Sequence, residues 1–192
     1  MKLILGSSSP FRKSLLERLL LEFDTYSPDI DETSHEGESP SALVKRLSIA
    51  KAEEIAKDNP NSLIIGSDQV AVFDNQILGK PGNHENAVMQ LTKFSTHSVK
   101  FITGLCLFNS KTLDYQYHQD ETWVHFRKLS ALQIEYYLKN DSPYQCAGSF
   151  RSEGLGCSLF SSIESSDPNA LIGLPIIKLV EMLESEGIDV LN

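Results

Sequence analysis

Residues 7–13 combine three hydroxyls, a proline and two cations in the order Ser-Ser-Ser-Pro-Phe-Arg-Lys. Ser9 suits the N-cap of a helix and Pro10 suits its first position, where a missing N–H group costs nothing. Backbone N–H groups, hydroxyls and the positive end of a helix dipole therefore come together. Arg12 and Lys13 add positive charge to that end, and a bound anion would resolve the conflict. The stretch predicts a phosphate site or, with equal weight, an ordinary capped helix with solvated charges.

Two further charged residues lie in or beside predicted buried elements. Residues 39–58 predict a helix, and Lys51 completes its apolar stripe. Such a lysine either extends its ammonium to solvent or points at a ligand. The apolar run 63–66 predicts a central strand, and Asp68 follows it closely. Ligands of open α/β sheets gather beyond the carboxyl ends of strands, so Asp68 is a candidate catalytic carboxylate, with a turn-forming role as the alternative.

An acidic cluster of Asp29, Asp31 and Glu32 occupies a predicted loop. Mg²⁺ is commonly held by one or two carboxylates plus substrate phosphates, which makes Glu32 and Asp68 candidate metal ligands. Solvated loop charges are the alternative interpretation. The histidines show no His-x-x-x-His spacing, and the chain has neither a Walker A nor a Gly-x-Gly-x-x-Gly pattern.

The order of predicted elements indicates an α/β domain. Helical and strand patterns alternate only in part along the chain, which predicts a central sheet of mixed direction flanked by helices. Asp74 and Asn75 predict the turn of a hairpin within 70–78. The predicted helices are 10–21, 39–58, 83–94, 130–139 and 174–186, and the other predicted strands are 2–6, 63–66, 99–108, 115–126 and 158–163.

Composition restricts the class of partner. The 192 residues suffice for one domain or two small lobes, and the net charge of -9 argues against an extended nucleic-acid-binding face. A polyanionic ligand would need cations gathered locally. No segment approaches the ~20 apolar residues of a membrane span, so no membrane partner is expected. Three scattered cysteines, expected as buried thiols, and the lack of a signal-peptide core predict a cytoplasmic protein.

Taken together, these features resemble the Maf family of nucleoside triphosphate pyrophosphatases. The resemblance implies an elongated α/β fold similar to that of inosine triphosphate pyrophosphatases, with residues 1–192 as one domain whose active-site cleft lies between two lobes. It also implies a nucleoside triphosphate substrate, its cleavage to the monophosphate and diphosphate, a divalent cation (Mg²⁺ or Mn²⁺), and often a homodimer. The motifs that carry the resemblance, in family order, are Ser7 to Arg12, Asp31-Glu32, Lys51, Gly66 to Val70, Gly79-Lys80-Pro81, Thr103-Gly104 and Gly148 to Gly156.

The resemblance also implies roles for single residues. Asp68 matches the proton acceptor of the family's reaction. Binding of the substrate and its phosphates is implied for Ser7, Arg12, Glu32, Lys51 and Lys80.

Three residues concern substrate specificity. Phe11, Gln69 and Glu153 depart from the branch that hydrolyses dTTP and UTP and resemble the branch that acts on 7-methylguanosine triphosphate. One carboxylate can accept hydrogen bonds from both the N1–H and the exocyclic amine of guanine. An aromatic face attracts the positively charged methylated base. The alternative is that Phe11 packs in the core and Glu153 is a solvated loop residue.

A pyrophosphatase that acts on 7-methyl-GTP is therefore the leading hypothesis from the sequence. A second hypothesis keeps the reaction and changes the substrate to dTTP, UTP or another modified nucleotide. A third, from another class, is a non-catalytic nucleotide-binding regulator of cell division.

Overall fold

A computed structural model describes residues 1–192 and contains seven strands and five α-helices. No helix is both long enough and apolar enough to cross a bilayer. The strands are β1 (Lys2–Gly6), β2 (Asp24–Tyr26), β3 (Ser62–Phe73), β4 (Gln76–Leu78), β5 (Ser98–Asn109), β6 (Asp114–Phe126) and β7 (Phe160–Glu164). The helices are α1 (Pro10–Glu17), α2 (Pro40–Ala56), α3 (His84–Phe94), α4 (Ala131–Asp141) and α5 (Ile176–Ser185).

The seven strands form one sheet of mixed direction. Its order is β2-β1-β3-β5-β6-β7, and β4 pairs with β3. Strand β1 is parallel to β2 and β3, whereas β3 and β4 are antiparallel, as are β6 and β7. Asp74 and Asn75 join β3 to β4 with φ of 50° and 60°, the backbone that a tight hairpin requires. The predicted α/β class, mixed sheet and hairpin are confirmed.

The chain divides into two compact units. The first comprises residues 1–69, 103–120 and 167–192, and the second comprises residues 70–102 and 121–166. The single domain with a cleft between lobes stays a prediction.

The core of the first unit lies between β1, β3, α1 and α5. Leu15 and Leu16 of α1 are fully buried there, as the helical stripe predicts. The helix is shorter than expected, because a turn follows Glu17 and Leu20 takes a φ of 56°. The helical spacing of Leu15, Leu16, Leu19 and Leu20 predicts one buried stripe, but Leu20 is 92% exposed, so the prediction is wrong for this residue. Buried partners from the strands and α5 are Leu3, Leu5, Leu63, Ile65, Leu179 and Leu183.

Helix α2 packs directly on β3. A Cβ atom at Gly66 would lie 2.1 Å from the backbone oxygen of Ser48, so only glycine permits this approach. The contact brings the buried face of α2, with Lys51, against the strand.

Strand β3 is longer than the sequence predicts. Pairing between β1 and β3 ends at Gly6 and Gly66, but β3 continues to Phe73, because β5 neighbours it on its other side and residues 71–73 pair with β4. Asp68 therefore lies within a strand, and its expected position after a strand end is wrong. It still lies beyond the last residue of β1.

The core of the second unit is aromatic. The rings of Phe94, Phe126, Phe150 and Phe160 pack edge-on or tilted, with neighbouring centroids 4.7–5.7 Å apart. Such arrangements suit the ring quadrupoles. Asn83 caps α3, and Ser130 forms a capping box with Gln133 at the start of α4, as the spacing of these two residues predicts.

The three cysteines differ in environment. Cys106 is buried, and burial raises the pKa of its thiol to about 12. Cys146 is partly buried and Cys157 is exposed. The expectation of buried thiols is therefore wrong for Cys157, which lies exposed in the short 3₁₀ helix Leu155–Leu159.

Candidate active site

The N-terminus of α1 forms a hydroxyl-lined turn. Ser9 is its N-cap and Pro10 its first residue, as predicted, and Ser9 Oγ accepts the Arg12 N–H at 3.4 Å. Ser7 Oγ accepts from the Ser9 N–H at 3.2 Å and from Arg12 Nη1 at 3.4 Å. Because the Ser7 oxygen already accepts two hydrogen bonds, its own hydroxyl hydrogen is free to point at a further acceptor. Ser7 is buried, whereas Ser8 is exposed.

Arg12 is held in place by the carbonyl of Gly173. Arg12 Nε donates to the Gly173 oxygen at 2.8 Å, and Ser67 Oγ donates to the same oxygen at 2.9 Å. Burial lowers the pKa of the Arg12 guanidinium, while the nearby carboxylates of Asp68 and Glu32 oppose that shift. A guanidinium stays charged at neutral pH and has five N–H donors. The bonds to Gly173 and Ser7 use two of these donors.

Gly173 is a functional position that sequence reasoning missed. Its φ is +125°, and a Cβ there would lie 3.2 Å from Arg12 Nε, so a side chain would strain the backbone and press on the arginine. A glycine two residues before Pro175, the N-cap of α5, was the available local signal.

The side chain of Gln69 supports the same segment. Gln69 Nε2 donates to Thr103 Oγ1 at 2.8 Å, to the Ala170 oxygen at 2.9 Å and to the Leu171 oxygen at 3.1 Å. These acceptors occupy the amide hydrogens. Oε1 is then the polar atom that Gln69 can offer to a ligand, and it is an acceptor.

Lys51 joins two carboxylates. Its ammonium lies 2.7 Å from Asp68 Oδ1 and 2.8 Å from Glu32 Oε1. Lys51 and Asp68 are each only 7% exposed, whereas the Glu32 side chain is 58% exposed. The alternative in which Lys51 extends to solvent is therefore wrong. A buried ammonium and carboxylate each depend on the other for compensation.

Ser48 fixes the backbone beside Asp68. Its hydroxyl donates to the Val44 oxygen at 2.7 Å and accepts the Asp68 N–H at 3.0 Å. Ser48 lies one helical turn before Lys51, so a single face of α2 supplies both contacts to Asp68. Ser48 is a second functional residue that was not predicted from the sequence, although a serine inside an apolar stripe was a visible signal.

The first unit therefore brings together two cations, two carboxylates and a hydroxyl. The formal charges of Arg12, Lys51, Asp68 and Glu32 cancel. No group of three or more His, Cys, Asp and Glu residues is arranged to hold a metal ion. Asp68 and Glu32 nevertheless converge on one cation. Mg²⁺ is commonly bound by one or two protein carboxylates when phosphates supply other oxygen ligands.

The other predicted site residues lie elsewhere. Phe11 is in the first turn of α1 and is partly buried. Lys80 and Glu153 are exposed and belong to the second unit. Arg151, two residues before Glu153, donates through Nη2 to the Asp141 backbone oxygen at 2.7 Å and also to Asp141 Oδ1. The Glu153 loop is thereby tied to the end of α4.

Comparison with known proteins gives consistent results. A family model described as Maf-like protein matches residues 2–186. The 7-methyl-GTP pyrophosphatase of Colwellia psychrerythraea is 55% identical over 189 residues, which cover 98% of this chain and 94% of that protein. The proteins of the same name from Alcanivorax borkumensis and Vibrio vulnificus are 54% and 50% identical, over 97% and 100% of this chain and 94% and 98% of their own lengths.

The ion pair between Lys51 and Asp68 predicts a large stability effect. Lys51→Met leaves a buried carboxylate without its main partner, and we expect a loss of about 3–5 kcal/mol in the free energy of unfolding. Urea unfolding followed by circular dichroism measures this. Lys57→Met, in the same helix region but at an exposed lysine, is the control and should leave the midpoint unchanged. Equal midpoints for the two variants would contradict the structural role given to the pair.

Proposed function

The chain belongs to the Maf-like protein family, and from this premise we propose that it is a nucleoside triphosphate pyrophosphatase that hydrolyses 7-methyl-GTP to 7-methyl-GMP and diphosphate. The observation that carries the proposal is the buried contact of Asp68 with Lys51, close to Arg12 and Glu32. This arrangement suits turnover better than binding alone, because a carboxylate beside phosphates weakens their binding, whereas it can accept a proton from an attacking water.

Asp68 is the proposed proton acceptor. A water molecule attacks the α-phosphorus, its oxygen forms the new P–O bond, and its proton passes to the Asp68 carboxylate. The bond from the α-phosphorus to the bridging oxygen breaks, and the electron pair leaves with the diphosphate. Lys51 and Arg12 stabilise the negative charge that develops on the phosphate oxygens. The Ser7 hydroxyl donates to one of those oxygens.

The charge of the site also supports a divalent cation. Its two cations and two carboxylates cancel, so a bound triphosphate would bring several uncompensated negative charges. Glu32 and Asp68 are the residues that would hold Mg²⁺ or Mn²⁺ together with the phosphates. Such an ion would withdraw charge from the phosphoryl oxygens and make the attacking water more acidic.

Three residues are proposed to select the base. Phe11 offers an aromatic face at the start of α1, which favours a positively charged ring by ~0.5–2 kcal/mol. Glu153 offers two acceptors to the N1–H and the amine of guanine. The acceptor oxygen of Gln69 adds to this preference. Uracil and thymine would meet the carboxylate of Glu153 with their own acceptors, and such unmatched polar groups discriminate strongly.

A panel of substrates tests the proposal directly. Diphosphate release is measured with Mg²⁺ or Mn²⁺ from 7-methyl-GTP, GTP, dTTP and UTP, and kcat/KM is expected to be highest for 7-methyl-GTP. dTTP or UTP as the best substrate would replace the proposed specificity and leave the reaction intact. Binding without release from any triphosphate would instead favour the regulator hypothesis.

Replacing the proposed base tests the reaction. Asp68→Asn keeps the size of the side chain but cannot take the proton, so kcat should fall by about 10²–10⁴-fold. Nucleotide binding should remain measurable by calorimetry. Asp74→Asn, in an exposed turn that tolerates asparagine, is the matched control and should keep full activity. A fully active Asp68→Asn variant would remove this residue from the mechanism.

Base selection has its own test. Glu153→Gln replaces one acceptor oxygen by a donor, and the ratio of kcat/KM for 7-methyl-GTP to that for dTTP should fall by at least about tenfold. Glu85→Gln, at an exposed glutamate of α3, serves as the control. If both variants keep the wild-type ratio, the base is read by other residues.

A further inference from the structure

The two proposed ligand residues of the second unit lie on separate loops. Lys80 follows β4, and Glu153 follows the short 3₁₀ turn Ala147–Ser149. Both side chains are exposed, so neither is fixed by burial. Their relative position depends on what holds the backbone of each loop.

The backbone around Lys80 is anchored on α3. Gln90 Nε2 donates to the Gly79 oxygen at 3.0 Å, and Asn86 Nδ2 donates to the Pro81 oxygen at 2.9 Å. The Gly82 N–H donates to the Tyr144 oxygen at 2.9 Å. The carbonyls on both sides of Lys80 are therefore bound by side chains of a single helix.

The backbone before Glu153 needs a special conformation. Gly148 and Ser149 have φ of 73° and 62°, which is costly for a serine. A Cβ at Gly148 would lie 2.7 Å from the ring of Phe101, so the turn sits tightly on the aromatic core. Ser149 is fully buried, and its Oγ donates to Gln90 Oε1 at 2.5 Å.

Gln90 thus bonds both loops with one amide. Its Nε2 holds the loop of Lys80 and its Oε1 holds the turn that leads to Glu153. We propose that Gln90 is a positioning residue that fixes the spacing between the phosphate-binding Lys80 and the base-reading Glu153. The inference rests on the proposed function for the roles of those two residues. The bridge itself stands on the two hydrogen bonds.

The chemistry of the bridge makes glutamine specific. The side-chain amide of glutamine carries a donor and an acceptor on the same carbon. Here the donor serves the Gly79 carbonyl and the acceptor serves the Ser149 hydroxyl. A carboxylate at this position keeps the acceptor for Ser149 but faces the Gly79 carbonyl without a donor. A thioether of similar size loses both bonds. With Lys80 and Glu153 held at a fixed spacing, the site favours ligands in which the distance between phosphate and base matches that spacing.

Kinetics of substitutions at the bridge test the proposal. Gln90→Met should raise KM for 7-methyl-GTP about tenfold with kcat changed less than about threefold, because two binding residues lose their mutual placement while Asp68 is untouched. The preference over dTTP should fall in parallel. Ser149→Ala, which removes one bond, should give a smaller shift of the same kind.

Hydrogen exchange tests the bridge without activity. In Gln90→Met, amides of residues 79–82 and of residues 147–154 should both exchange faster than in the wild type. Gln133→Ala is the control, because it removes the capping box of α4 in the same unit and bonds neither loop. It should lower stability without changing KM or the preference for 7-methyl-GTP.

The outcomes separate this inference from the proposed function. If the wild type releases diphosphate from 7-methyl-GTP but Gln90→Met matches it in KM, preference and exchange, the inference is overturned. If the wild type releases none, the proposed function fails, and faster exchange in both loops still supports the bridge. Faster exchange that is confined to α3 would overturn the inference that Gln90 bridges the two loops.

Discussion

The site depends on a carboxylate and an ammonium that have both left water. Asp68 and Lys51 are each 7% exposed and lie 2.7 Å apart, so each would be uncompensated without the other. Desolvation of such a pair often costs more than the attraction returns, so the intact pair is poor evidence of net stabilisation even though removing one partner alone is costly. Its effect is positional, because the pair requires α2 and β3 to touch. Gly66 permits that contact, and the Ser48 hydroxyl fixes the strand at the same point.

A second requirement comes from sequence distance. Arg12 is oriented by Gly173, 161 residues later, and Ser67 bonds the same carbonyl. Residues from three separate parts of the chain must therefore be in place before the guanidinium has its position. Contacts of this kind form late, since loop closure must precede them. The positive end of α1 is local, but the phosphate site built on it belongs to the completed first unit.

The difference between local contacts and contacts between distant residues explains which features could be predicted from the sequence. Ser9 and Pro10 set the start of α1 through contacts within four residues, and the buried stripe of α2 located Lys51 correctly. The mid-strand position of Asp68 was missed, because β3 continues beyond β1 alongside β5, a neighbouring strand that lies far away in sequence. Gly173 and the Gln90 bridge were missed for a related reason. Their roles arise from partners far away in sequence, which periodicity and capping rules do not register.

Burial also separates the residues of the reaction from those of specificity. Asp68 and Lys51 are enclosed by α2 and β3, so replacing either one disturbs packing as well as chemistry. Phe11 is only partly buried and Glu153 is exposed, so their side chains can change at little cost in stability. The same reaction can therefore be directed at another base by altering surface residues. Such an alteration works only while the backbone beneath the exposed residue stays fixed, and for the Glu153 loop the bonds from Gln90 and Arg151 supply that constraint.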